Sequence, residues 1–219
     1  MTTPEALVHE LDQTVTRRLE ALGKKASEAS ETQVVSVAEL LVMALKKELE
    51  ATEEAAMWLV SETDVEVKLA LARQCGDEAK HYRLIEERLR ALGVDPKTKA
   101  PAASERSPMF QYLAGLATTV ERVAAGQFTR EALAQVHNAA FIAYCEARGD
   151  SETALLYRDV IQPDEGHHHA LGRALLLRLA VTEAEQDKAR RACERTLSIA
   201  EELQEIVQMK RGIGCAPGC

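Results

Sequence analysis

Two short stretches carry side chains that could grip a metal ion: Asp77-Glu78-Ala79-Lys80-His81 and Asp164-Glu165-Gly166-His167-His168. In each, a Glu is followed three residues later by a His. On a helix that spacing projects both side chains from one face, within reach of a single ion. One Glu-x-x-His match means little, since 27 Glu and 6 His in 219 residues give roughly 0.7 by chance. The context is more specific. These are the only two Asp-Glu dipeptides in the chain, and the motifs lie 87 residues apart. They read as two copies of one helical hairpin whose carboxylate and imidazole donors suit iron or manganese.

The elements that must position them are helices. Thr3-Pro4-Glu5 is a helix start, and Leu7, Leu11, Val15, Leu19 and Leu22 recur at helical spacing up to Gly23. The spacing predicts a first helix over 4–23 and a polar linker over 24–32. A second helix is expected from about Val34 to Val60, with Val37, Leu41, Ala44, Leu45, Ala51, Ala55 and Leu59 on its apolar stripe. Glu48 falls inside that stripe, where a carboxylate is costly unless paired. Glu50, Glu53 and Glu54 fall mostly off it. After a turn at 61–64, a third helix runs to about Leu92 and is closed by Gly93 and Pro96.

Residues 97–107 read as a crossover. A long helix over about 107–148 is expected to break near Gly126, because uninterrupted it would be ~60 Å long. Another spans about 150–180, kinked at Pro163. A last helix occupies about 182–210, opened by the capping pattern Thr182-Glu183-Ala184-Glu185. The tail over 212–219 is expected to be mobile, and its Cys215 and Cys219 are too close and isolated to be read as a zinc site.

Composition narrows the classes. Aromatics are 4% and net charge is −8. That balance argues against nucleic acid or a membrane surface as partner. No apolar run approaches the ~20 residues of a membrane span. The N-terminus lacks a basic and an apolar region, which argues against secretion. Five cysteines, an odd number spread along helices, suit reduced thiols and a cytoplasmic location.

In an antiparallel hairpin, residues equally far from the turn lie side by side. Glu48 is 15 residues before Thr63 and Glu78 is 15 after it, so Glu48 should face Glu78 and His81. Packing the second hairpin against the first would bring Glu165 and His168 to the same level. With these residues the chain resembles the ferritin-like di-iron carboxylate superfamily. Members of that superfamily take one Glu from each of two helices and Glu-x-x-His from each of the other two. The resemblance covers roughly 34–180. It implies an all-α, ferritin-like four-helix bundle of two antiparallel hairpins joined by a crossover, with extra N- and C-terminal helices in one 1–219 domain. By the same resemblance Glu48, Glu78, His81, Glu165 and His168 are metal ligands, with Glu78 and Glu165 bridging. For the sixth, Glu131 lies 34 residues before Glu165, whereas the 87-residue repeat carries Glu48 onto Gln135. Glu131 is favoured, reached through a helix distorted near 126–129, while Gln135 and His137 stay open.

Among the neighbours, Asp77 and Asp164 are candidates to orient the ligand histidines. His167 and His169 read as spares, and Trp58, Tyr82, Tyr144 and Tyr157 as core or rim residues. Phe110, Leu113, Leu116 and Val120 are candidates for a substrate pocket, though core packing is the simpler reading. The resemblance implies two Fe, alternatively Mn or mixed Mn/Fe, activating O2 to oxidise or hydroxylate a small organic substrate. A reductase partner and a homodimer or small homo-oligomer would go with that chemistry. Ferroxidase, iron-handling or peroxide-scavenging chemistry is the alternative, and a non-catalytic interaction bundle with a relic site the third.

Overall fold

Side-chain caps set the helix boundaries in the computed structural model, which describes residues 2–30, 35–96, 106–211 and 216–218, the side chains of 26–30 and 210–211 excepted. Helix α1 spans Pro4–Ser30, α2 Val37–Ser61 and α3 Val65–Ala91. Ser36 and Glu39 close a capping box on α2, and Asp64 Oδ1 accepts the Val67 amide to start α3. Next come α4 (Pro108–Ala114) and α5 (Thr119–Val123). A π-helical segment, Ala124–Arg130, then leads without interruption into α6, Glu131–Glu146. Helix α7 (Ser151–Leu156) likewise passes through a π-helical segment, Tyr157–Ile161, into α8, Gln162–Leu179. Helix α9 is Glu183–Arg211, and Thr182 and Glu185 bond reciprocally at its start. Gly93 and Gly149 take the positive φ (77° and 75°) needed at the ends of α3 and α6. The chain is all helical among the described residues.

Helices α2 and α3 form one antiparallel hairpin, α6 and α8 the other, and α1 and α9 pack against the second. Two apolar layers fill the interior. One contains Leu40, Leu41, Leu45, Ile85, Leu89, Phe141, Tyr157 and Ile161; the other contains Ala55, Trp58, Leu71, Phe128, Leu133, Leu175 and Leu176. Each of the four central helices, α8 together with the π-helical segment before it, passes from one layer to the other. On α2, α3 and α8 the Glu and His of interest fall between them. The polar residues are therefore sealed at both ends of the bundle by hydrocarbon.

Several expectations need correction. The first helix does not stop at Gly23. It continues to Ser30, because α1 has a partner in α9: Arg18 forks onto Glu201, and Lys25 pairs with Glu205. Its large apolar residues Leu7, Val8, Leu11, Val15, Leu19 and Leu22 are buried, each contributing about 1.5–3 kcal/mol. The long helix is interrupted at 115–118, not at Gly126, where the backbone stays helical but widens. Glu50 and Glu54 are buried. Glu50 accepts the Ser107 amide and hydroxyl, and Glu54 pairs with Arg130. The described part of the tail, Ala216, Pro217 and Gly218, is buried rather than free. The crossover over 97–105 and both tail cysteines, Cys215 and Cys219, lie outside the described residues.

Two glycines test this packing in opposite directions. A Cβ on Gly172 of α8 would meet the Gln127 carbonyl carbon and the Phe128 nitrogen at 2.7 Å, both backbone atoms of the first π segment. Gly172→Ala should destabilise the protein by about 1–3 kcal/mol by forcing the helices apart. A Cβ on Gly76 of α3 meets nothing within 4 Å, so Gly76→Ala should stabilise by about 0.5–1 kcal/mol through helix propensity. Urea unfolding of the two variants measures both signs.

Candidate metal centre

Each central helix delivers its donors to one level. Glu48 comes from α2, Glu78 and His81 from α3, Glu131 from the start of α6, and Glu165 and His168 from α8, all essentially fully buried. Their ligand atoms form two groups, each gathered within 4.8 Å: Glu48, Glu78, His81 and Glu165, and then Glu78, Glu131, Glu165 and His168. Glu78 and Glu165 belong to both. His81 Nδ1 lies 3.4 Å from Glu48 Oε2 and from Glu78 Oε2. His168 Nδ1 lies 3.5 Å from Glu78 Oε1, 3.6 Å from Glu165 Oε2 and 3.8 Å from Glu131 Oε2.

The far nitrogens are fixed across the hairpins. His81 Nε2 donates to Asp164 Oδ2 and His168 Nε2 to Asp77 Oδ2, both at 3.1 Å. Each Asp thus orients the other motif's imidazole, leaving both Nδ1 atoms turned toward the carboxylates. Lys80 sits between the two Asp residues, 2.6 Å from Asp164 and 3.9 Å from Asp77.

The π segments explain how the second hairpin fits. In a π-helix each amide bonds to the carbonyl five residues back. The Glu131 amide bonds to Gly126 O and the Gln162 amide to Tyr157 O in that manner. The extra residue rotates the helix beyond it, so Glu131 and not Gln135 faces Glu165. Gln135 bonds instead to the Glu131 carbonyl and receives a bond from Gln162 on its own carbonyl. His137 is half-buried beside Lys47, outside both donor groups; burial and that ammonium hold it down to about 3. His169 donates from Nδ1 to Phe128 O at 2.6 Å, and His167 is exposed. Trp58, Tyr144, Tyr157, Phe110, Leu113 and Val120 are buried core residues, and Tyr82 and Leu116 are partly buried.

Charge in this interior is held by few groups. Burial raises Glu78 to about 8 and Glu165 well above the usual carboxylate range. Burial opposes charge on His81 and His168 too, but their carboxylate neighbours outweigh it and lift them to about 11 and about 9. Glu131 goes the other way: burial pushes it up, yet the Arg130 guanidinium holds it below the ordinary range. Four carboxylate oxygens of Glu48 and Glu78, and both Nδ1 atoms, are buried without a hydrogen-bond partner among the described residues. Orphaned acceptors of this kind are what a cation would satisfy. The donors present therefore fit hard or borderline divalent ions.

No family model matches the chain, and no curated protein sequence does. A solved structure does match. It is a domain of unknown function with a heme oxygenase-like fold from Shewanella denitrificans, with a TM-score of 0.68 over 93% of this chain and 95% of that one, at 12% identity. The fold is heme oxygenase-like. At that identity the likeness concerns the fold alone.

Three residues with a part in the site escaped the sequence reading: Arg130, Glu54 and Gln74. Arg130 bonds to Glu54 Oε2 at 2.7 Å and to Glu131 Oε1 at 3.0 Å, and Gln74 donates to Glu131 Oε1 at 2.6 Å. Gln74 had a signal, since it precedes Glu78 by four residues on the buried stripe of α3. Arg130 had none, because the π turn removes the ordinary helical period.

The cross-hairpin bonds and the held protons give one prediction. Asp77→Asn and Asp164→Asn should each weaken Mn2+ binding by about 10–100-fold. In the wild type, an ion must displace protons from Glu78, His168 and His81, so affinity should rise with pH, most steeply below about 8 and less steeply as pH passes through 8 to 9. Calorimetric titrations at several pH values, in buffers of different ionisation enthalpy, measure both the affinity and the protons released.

Proposed function

We propose that this protein is a ferritin-like di-metal carboxylate oxidoreductase that uses O2 to oxidise or hydroxylate a small organic substrate. The observation that carries the reading is the sharing of Glu78 and Glu165 between two four-donor groups. Shared carboxylates are how two ions are held a few ångströms apart. Four Glu also balance two divalent ions, so the loaded site is neutral and tolerable in an apolar interior. Haem iron takes one or two axial ligands, whereas this set of four convergent carboxylates and two imidazoles suits bare iron or manganese.

In this reading Glu78 and Glu165 would serve both positions, Glu48 and His81 would hold one ion, and Glu131 and His168 the other, each imidazole offering Nδ1. When bound, iron or manganese would supply the electrons that reduce O2. The protein's own part is to fix the imidazoles through Asp77 and Asp164, to surrender protons from His81, His168 and Glu78 on loading, and to exclude water with the apolar layers above and below. Buried, unpaired acceptors are also a liability without metal, which favours a resident ion over a relic site. The free thiols Cys75, Cys145 and Cys193 accord with a reducing cytoplasm, and no described helix is long and apolar enough to cross a membrane. A reductase and a small homo-oligomeric state complete the proposal.

Purified protein reconstituted with Fe2+ should hold close to two equivalents, and Glu78→Ala should hold almost none. The reduced, iron-loaded protein should consume O2 and elute as a small oligomer on size exclusion. Retention of less than a tenth of an equivalent of iron would refute the di-metal reading. A large cage that mineralises iron would move the function to storage.

A further inference from the structure

Glu48 and Glu131 occupy corresponding places, one on each hairpin, yet their oxygens are treated differently. Both Glu48 oxygens are buried and have no hydrogen-bond partner among the described residues. On Glu131, Oε1 already accepts from Gln74 Nε2 (2.6 Å) and Arg130 Nη2 (3.0 Å), while Oε2 is the oxygen turned to His168. The guanidinium is itself immobilised: Arg130 is 4% exposed and its Nη1 is bonded to buried Glu54. On the Glu48 side, Lys47 directs its Nζ to the carbonyl oxygens of Ala216 and Gly218. The Asp partners of the histidines each have a cation outside the donor groups: Lys80 bonds to Asp164 at 2.6 Å, and Arg73 lies 3.3 Å from Asp77.

We propose that the two metal positions are inequivalent, and that Arg130 and Gln74 make them so by confining Glu131 to a single-oxygen ligand. The proposal rests on the di-metal reading above. The position among Glu48, Glu78, His81 and Glu165 is offered a carboxylate with two available oxygens. The position among Glu78, Glu131, Glu165 and His168 is offered one oxygen, from a carboxylate whose charge is already shared with a cation in a low-dielectric interior. Fewer donors and less negative charge weaken cation binding. The Glu48 side therefore fills first, and the His168 side is the exchangeable one. Arg130 and Gln74 are positioning residues, since neither is a proposed ligand.

Mn2+ is the probe. Calorimetric titration of the metal-free full chain should show two steps differing by about tenfold or more, the range over which partners of metal ligands act. Crystals holding one equivalent should show manganese anomalous density beside Glu48 and His81. The double variant R130M/E54L removes the buried charges together and leaves Gln74 as the donor to Oε1, so the ratio of the two affinities should narrow by about tenfold. Gln74→Leu should narrow it less, without disturbing the ion pair. Equal affinities, first occupancy beside Glu131 and His168, or a ratio unchanged or widened in the variants would overturn the proposal. If the double variant fails to fold, Gln74→Leu and the wild-type occupancy still decide. Binding of no Mn2+ at all would instead count against the di-metal reading.

Discussion

Mutual repulsion among buried carboxylates is the constraint around which this bundle is built. Glu48, Glu78, Glu131 and Glu165 meet with almost no exposure to water, between two layers of hydrocarbon. Burying one unpaired carboxylate costs several kcal/mol, and four together cost more because each raises the next. The bundle answers by raising the proton affinity of Glu78, Glu165 and both histidines, and with one fixed cation, Arg130. Each answer is a local compromise that bound divalent cations would remove. The residues that do not touch the centre are arranged to keep it dry and fixed.

That arrangement is not symmetrical, although the motifs are. The Asp-to-His bonds cross between hairpins in a reciprocal pattern, so neither histidine is oriented by its own helix. This ties the hairpins together at the site: breaking either bond loosens an imidazole on the opposite helix. The symmetry fails at the fourth helix. A π turn delivers Glu131 where the repeat in the sequence has Gln135, and it brings Arg130 with it. The same widened turn exposes the Phe128 carbonyl to His169 and lets Gly172 approach the backbone closely. A single backbone irregularity thus sets a carboxylate, a guanidinium and a helix contact.

The likeness to a heme oxygenase-like fold concerns the scaffold, whereas the chemistry belongs to the donor set. Fold does not determine function, because the same helical scaffold can be lined with different donors. Here the lining is carboxylate-rich and convergent. Two carboxylates, Glu78 and Glu165, belong to both donor groups, and that property comes from the lining, not from the shape of the bundle.

Much of this was legible in the chain itself. Helical periodicity, capping residues and the duplicated Asp-Glu-x-x-His placed α2, α3, α8 and α9 closely, because capping and spacing are local properties. Hairpin symmetry was enough to set Glu48 opposite Glu78. What needed the tertiary structure was everything decided by a distant partner. Helix α1 runs past Gly23 because α9 lies beside it; Glu50 and Glu54 are buried because Ser107 and Arg130 meet them. The tail residues 216–218 are buried because the Gly218 amide bonds to Asn138 and a Cβ there would come within 2.8 Å of Glu48. The sequence determined which residue types could meet at one level of the bundle. Only the folded chain, by inserting a π turn before Glu131, decided which of them do, since that turn is stabilised by contacts with α8 and α9 that no local pattern records.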